Sequence, residues 1–194
     1  MIDIKGDMYM ETKKIVRYLT TPIESRKEIL KIVYCRGCEK GKRIENWINL
    51  EMLAKLLELK EKNEVEECEG EHGYDIPKRP TSRRVERCDL WWYKNNEKHW
   101  LEVKTTRLHH DSDGLKKKYG KRIEGDLKRI EKLKPPYDFH HLLMVFDDKD
   151  YSTGNWREDV YSLYRVYQMT KEDEWKFDAA PRKTVHVFLH HIKK

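Results

Sequence analysis

The stretch Cys88-Asp89-Leu90-Trp91-Trp92-Tyr93-Lys94-Asn95-Asn96-Glu97-Lys98-His99-Trp100-Leu101-Glu102-Val103-Lys104 decides the reading of this chain. Two runs rich in aromatic and β-branched residues flank Asn95-Asn96, the composition of two strands joined by a tight hairpin turn. A two-residue loop there pairs Lys94 with Glu97 and fixes the register: Trp91 faces Trp100, Leu90 faces Leu101, and Asp89 faces Glu102. A four-residue loop closed by Tyr93 and Lys98 gives the same alignment. Opposed residues of an antiparallel pair share a face, with Cβ atoms about 4.5–5.5 Å apart. Asp89 and Glu102 are therefore expected side by side, with Lys104 projecting to the same face. Cys88, Leu90, Leu101 and Val103 are expected on the other face, in a core.

Two opposed carboxylates repel, and a fold gains no stability from placing them so. A divalent cation between them removes the conflict. Hard oxygen donors on a partly open site suit Mg²⁺, or Mn²⁺ in its place, which keeps several waters and bridges to substrate phosphate. Lys104 beside such an ion can hold a hydroxide nucleophile and offset charge developing on a phosphate. The chemistry expected of this face is metal-assisted phosphodiester hydrolysis.

Asp89 followed by Glu102-Val103-Lys104 resembles the PD-(D/E)XK motif of restriction endonucleases, Holliday-junction resolvases and repair nucleases, over roughly Lys42 to Asp148. Cys88 stands where that family often has proline. The resemblance implies an α/β fold with a restriction-endonuclease-like core, a central mixed β-sheet flanked by helices, in the order helix, strand meander, helix, strand. It implies a magnesium-dependent deoxyribonuclease with Asp89 and Glu102 as metal ligands, the Val103 carbonyl as a further ligand and Lys104 as the catalytic lysine. Many members add an acid from the first core helix, and Leu50-Glu51-Met52-Leu53-Ala54-Lys55-Leu56-Leu57 resembles the corresponding run of Mrr-type restriction enzymes. Glu51 also lies within an apolar stripe of Ile44, Trp47 and Ile48, where an acid needs a purpose. Glu45, about 100° round the helix from Ile44, is the second candidate.

Working outward, Thr21-Pro22-Ile23-Glu24 has the form of a helix start, with a hydroxyl N-cap, proline at the first position and a capping-box glutamate. That helix is expected to reach about Cys35, and a second to span about Lys42 to Glu61. Val65 to Arg84 reads as a short strand and a loop, and Arg107 to Tyr119 as a polar loop. Ile123, Leu127, Ile130 and Leu133 repeat at helical spacing until Pro135-Pro136 stops them. His141 to Phe146 reads as a strand, reached by a right-handed crossover, and further strands are expected at Val160–Tyr167 and Val185–Ile192. The expected organisation is one nuclease domain over 1–194: a core of about 42–148, an N-terminal helical extension 1–41 and a C-terminal extension 149–194 that adds strands.

With 39% charged and 38% hydrophobic residues the chain is polar, but 11% aromatic residues argue for a packed core over disorder. Its 41 Lys and Arg against 35 Asp and Glu leave a formal charge of +6, which favours an anionic partner. Arg83, Arg84, Lys117, Lys118 and Arg122 are the candidate phosphate contacts for DNA. Gln168 is the only glutamine among abundant Lys and Glu, a bias that resembles thermophile proteins. Met1 to Lys14 lacks the apolar centre of a signal peptide, and the apolar run Leu142–Phe146 is too short to span a membrane, so a cytoplasmic location is expected. Double-strand cleavage would favour a homodimer.

Cys35 and Cys38 form a C-x-x-C pair, with Cys68 and Cys88 far downstream. A structural zinc site is usually built from two close pairs. Reduced thiols, or a disulfide in a thermophilic source, fit this spacing better. The adjacent pairs His109-His110, His140-His141 and His190-His191 are poor two-ligand chelates, because neighbouring side chains point apart. Two alternatives to the nuclease are a non-catalytic nucleic-acid-binding module on the same fold and a C-x-x-C zinc-binding protein.

Overall fold

The Asn95-Asn96 turn forms as the hairpin composition requires. Both residues adopt positive φ (51° and 63°), the conformation a two-residue hairpin loop demands and asparagine tolerates. The structure is a computed structural model describing residues 4–33, 41–71, 87–108, 114–130, 136–148 and 156–193. Strand β2 (Leu90–Lys94) pairs with β3 (Glu97–Arg107) in the expected register, from Lys94↔Glu97 back to Leu90↔Leu101.

Around this hairpin the chain places α1 (Ile4–Ser25), α2 (Lys27–Val33), α3 (Gly41–Glu61), β1 (Glu67–Gly70), α4 (Gly114–Ile130), β4 (Asp138–Asp148), α5 (Trp156–Val166), β5 (Thr170–Ala180) and β6 (Lys183–Lys193). The six strands form one mixed sheet in the order β1-β2-β3-β4-β6-β5. β3 and β4 run parallel and are joined through α4, while every other neighbouring pair is antiparallel. The protein is thus α/β, with helices packed on both faces of the sheet. β6 pairs along the whole of β4, from Asp138↔Lys193 to Asp148↔Lys183, so the C-terminal strands complete this same sheet.

Each face carries its own core. Leu90, Trp92, Leu101 and Val103 pack with Val16, Leu19 and Ile23 of α1 and Ile48, Met52 and Leu56 of α3. Trp91 and Trp100 pack on the opposite side with Ile123 and Leu127 of α4 and Val160, Leu163 and Tyr164 of α5. Cys88 joins this second core, and not the Leu90 side as the alternation suggests. Ladder pairing between β2 and β3 begins only at Leu90, so the period of two does not reach back to Cys88.

Several expected boundaries are corrected. No helix starts at Thr21: α1 runs through Thr21 and Pro22, breaks at Arg26, and α2 follows. Ile15, Val16, Leu19 and Ile23 form one buried stripe across that point, and their burial outweighs the proline's cost. Pro22 leaves the Tyr18 carbonyl without its usual helical donor, and the Thr21 hydroxyl donates to that carbonyl at 2.8 Å. Residues 114–119, expected in a loop, are the first turns of α4. Val160–Tyr167, expected as a strand, lies largely in α5, with Val160, Leu163 and Tyr164 buried at helical spacing. The strand follows instead as β5.

Candidate active site

Lys104 is the centre of the polar cluster at the far end of β3. Its Nζ lies 3.3 Å from Glu45 Oε1, 3.4 Å from Asp126 Oδ2, 3.7 Å from Glu102 Oε2 and 3.9 Å from Asp89 Oδ2. Those four acids come from α3, the entry to β2, β3 and α4. Asp89 does not extend the ladder opposite Glu102. Its carboxylate accepts the Val103 N–H at 2.8 Å, which turns it toward the same lysine. The Val103 carbonyl accepts from Lys104 Nζ at 3.3 Å, so this oxygen also borders the cluster.

Glu51, the expected helix acid, is not among them. It accepts from Trp47 Nε1 at 3.0 Å, lies 3.9 Å from Arg26 Nε, and lines a groove between α1 and α3 with Thr21, Lys55 and Glu58. Glu45 takes the place instead, and its second oxygen accepts the Thr105 N–H at 3.4 Å. Six residues of helix turn a side chain by about 240°, so only one of the two can face the sheet end.

Asp126 was not a candidate from sequence alone. It is 1% exposed, accepts from Arg129, and lies 3.7 Å from His141 Nε2, whose Nδ1 meets the Tyr164 hydroxyl at 2.6 Å. Asp126 falls between Ile123 and Leu127 in the apolar repeat of α4, the same signal of an acid within a buried stripe that drew attention to Glu51. Arg129 also reaches Glu102 Oε1 at 3.2 Å.

Glu45, Asp89, Glu102 and Asp126 bring four carboxylates together around Lys104, and Arg129 reaches two of them, Glu102 and Asp126. Burial opposes the Lys104 charge, but Glu102, Asp126, Asp89 and Glu45 together hold its pKa well above the usual lysine range. Burial pushes the His141 pKa down, and the Asp126 carboxylate opposes that shift without reversing it, so the imidazole adds no charge at neutral pH. Asp126 Oδ2 is buried without a hydrogen-bond partner among the described residues. An oxygen-rich pocket of four carboxylates, with Asp89 and Glu45 about one-fifth exposed at its rim, fits a hard divalent cation.

Of the candidate phosphate contacts, Arg83 and Arg84 lie outside the described residues. Positions 117, 118 and 122 are on α4, the helix that also supplies Asp126 and Arg129. Beside Asp89 a groove lined by Asn46, Asn49, Glu69, Glu71 and Arg87 opens along the first strands. Cys35 and Cys38 also lie outside the described residues. Cys68 and Cys88 belong to the cores on opposite faces of the sheet, so these two do not come together. No described helix is long and apolar enough to cross a membrane. No family model, curated protein or solved structure matches the chain.

Proposed function

We propose that the protein is a metal-dependent nuclease of the PD-(D/E)XK kind, hydrolysing phosphodiester bonds of DNA. The observation that carries this reading is the convergence of four carboxylates on Lys104, in a cluster that unites Asp89, Glu102 and Lys104. The order of α3, the β1–β2–β3 meander, α4 and a parallel β4 supports it, since that order is the one the motif resemblance implies.

Asp89, Glu102 and the Val103 carbonyl would hold Mg²⁺ or Mn²⁺, with Glu45 and Asp126 gathered on the same lysine beside them. Such an ion supplies Lewis-acid polarisation of a phosphoryl oxygen and lowers the pKa of a bound water. The protein's own contribution is positional. The Val103 N–H fixes Asp89, and Arg129 fixes Glu102 and Asp126. Lys104, kept protonated by its ring of acids, presents its ammonium to an attacking oxygen and to the charge that develops on the phosphate. Glu45 in turn holds Lys104. Basic residues of α4 and of the 83–84 segment would take the flanking phosphates, and a homodimer would serve double-strand cutting.

The test is a cleavage panel of plasmid, single-stranded, flapped and four-way-junction DNA with Mg²⁺ or Mn²⁺. Cleavage of at least one substrate, abolished by EDTA, is expected. Binding without cleavage of any of them would favour a non-catalytic module, and cleavage persisting in EDTA would remove the metal from the mechanism.

A further inference from the structure

A second cluster sits on the other face of the sheet, near the start of β3. His99 on β3 pairs directly with Asp138 on β4, His140 lies two residues further along β4 on the same face, and His191 of β6 pairs with His140. The imidazoles stack in a row that Trp92 continues, with centroids 5.2 Å apart for Trp92–His99, 5.9 Å for His99–His140 and 5.5 Å for His140–His191. Asp138 stands beneath this row. Its Oδ2 is 3.4 Å from His99 Nδ1, and its Oδ1 is 3.2 Å from His140 Nε2 and 3.6 Å from His191 Nε2.

These contacts are close but poorly directed. His99 Nδ1, His140 Nε2 and Asp138 Oδ1 are all buried without a hydrogen-bond partner among the described residues. Orphaned polar atoms in a sealed site are costly unless something completes them. One donor atom each from His99, Asp138 and His140 lies within 4.8 Å of the others. His140 Nε2 is 3.2 Å from one Asp138 oxygen and His99 Nδ1 is 3.4 Å from the other, each separation close to that between neighbouring ligands of a tetrahedral ion with bonds of about 2.0–2.1 Å.

The outer shell follows the same logic. β5 carries an irregularity between Lys171 and Asp173 that takes Glu172 out of the pairing with β6. Glu172 Oε2 meets His140 Nδ1 at 3.2 Å, leaving Nε2 as the nitrogen turned toward Asp138. A carboxylate on the far nitrogen of an imidazole is the usual support for a metal-ligating histidine, fixing its tautomer and raising its basicity. A dication bound here would offset the charge of both carboxylates that flank His140, Asp138 and Glu172. Lys193, opposite Asp138 on β6, is engaged with Glu97 at 2.7–2.8 Å.

We infer that His99, Asp138 and His140 form a structural site for Zn²⁺, oriented by Glu172, with His191 beside the fourth position. Imidazole-rich donor sets select zinc and its late first-row neighbours over magnesium. The side chains are at most 7% exposed, so the ion would be enclosed and would tie β3 to β4 without turning over substrate. The inference is independent of the nuclease reading, since it rests on different residues on the opposite face.

The test uses the full chain with Cys35→Ser and Cys38→Ser, in excess Mg²⁺, titrated with Zn²⁺ against a chromophoric chelator. One tight zinc per chain and a raised melting temperature are expected, and both should survive Asp89→Asn combined with Glu102→Gln. His140→Gln should abolish tight binding, and Glu172→Gln should weaken it by about 10–100-fold. Co²⁺ loaded into the unmutated chain should show visible d–d bands that persist when Cys35 and Cys38 are blocked, which keeps the test open should a variant fail to fold. No tight zinc in the chain with Cys35→Ser and Cys38→Ser, undiminished binding in His140→Gln, or cobalt bands that vanish with thiol blocking would each overturn the site.

Discussion

Two clusters of ionisable side chains hang from β3, on opposite faces and with His99 and Lys104 only five residues apart in sequence, and they differ in donors and in access. Around Lys104 the donors are carboxylate oxygens, and the lysine, Glu45 and Asp89 are each 17–20% exposed. Around Asp138 the donors are mostly imidazole nitrogens, and the side chains are nearly sealed. Hard donors at an open rim suit an ion that must exchange waters and meet a polyanion, whereas borderline donors in a closed pocket suit one that stays. Because side chains alternate across a strand, β3 can carry both without either intruding on the other.

The sharpest way to break this comparison is to disable the open site. Asp89→Ala, Glu102→Ala and Lys104→Ala are each expected to lower DNA cleavage by about 100-fold or more. The lysine variant should still bind DNA, measured by mobility shift at low salt. Retained cleavage in any of the three would show that the acids gathered around Lys104 have another purpose.

A smaller effect separates the two helix acids. Glu45→Gln is expected to slow cleavage by about 10-fold, because Glu45 holds Lys104 and the Thr105 N–H. Glu51→Gln should leave initial rates within about twofold, as a substitution at a partly exposed ion pair does. The reverse order would restore Glu51 to the site and place Glu45 outside it.

That pair also shows what could be read in advance. The β2–β3 register was legible because a two-residue turn fixes it, and Trp91↔Trp100 follows from Asn95-Asn96 alone. Glu45 was placed second to Glu51, and Asp126 was not singled out, because the rotation of α3 and α4 against the sheet is set by tertiary packing. Adjacent histidines do point apart, as expected, but pairing of β4 with β6 brings His140 to His191 and His141 to His190. A long connection separates those strands, so no turn announces their register. In α5 the opposite happened: Val160, Leu163 and Tyr164 have helical spacing, and the β-prone composition of the segment obscured it.

Stability separates the two clusters in a different way. In EDTA, Asp89→Asn should leave thermal stability unchanged or raise it slightly, since four carboxylates crowd round Lys104. In Mg²⁺ the wild type alone should gain the linkage term RT ln(1 + [L]/Kd), about 2.7 kcal/mol at a hundred times Kd. Zn²⁺, by contrast, should raise the melting temperature of both proteins by the same amount, because its site lies on the other face. A Mg²⁺ response shared by wild type and variant would mean that Asp89 is not a ligand.

The smallest effect calibrates the others, because Asp173 is an acid whose cations are in surplus. It is paired with Arg17 and lies 3.4 Å from Lys13, and its other oxygen accepts the Glu174 N–H at 2.8 Å. Burial pushes its pKa up, but the Arg17 hydrogen bond, the Glu174 N–H and Lys13 outweigh that and hold it below the usual aspartate value. A folded-state pKa below the unfolded one stabilises above the ordinary carboxylate range, and this contribution is lost as pH falls through the folded value. Asp173→Asn should therefore lower stability at neutral pH, by no more than about 1 kcal/mol because Arg17 is half exposed and screened. The loss should be the same in EDTA and in Mg²⁺, and should shrink toward zero as both proteins are melted at progressively lower pH. Asp89→Asn is expected to differ on both counts, with no loss in EDTA and a loss that grows with Mg²⁺. If the Asp173→Asn deficit instead persisted in acid, the aspartate would act through the hydrogen bond to Glu174 and not through charge. The contrast between an ion-paired acid and a crowded carboxylate cluster would then be drawn from Asp89 alone.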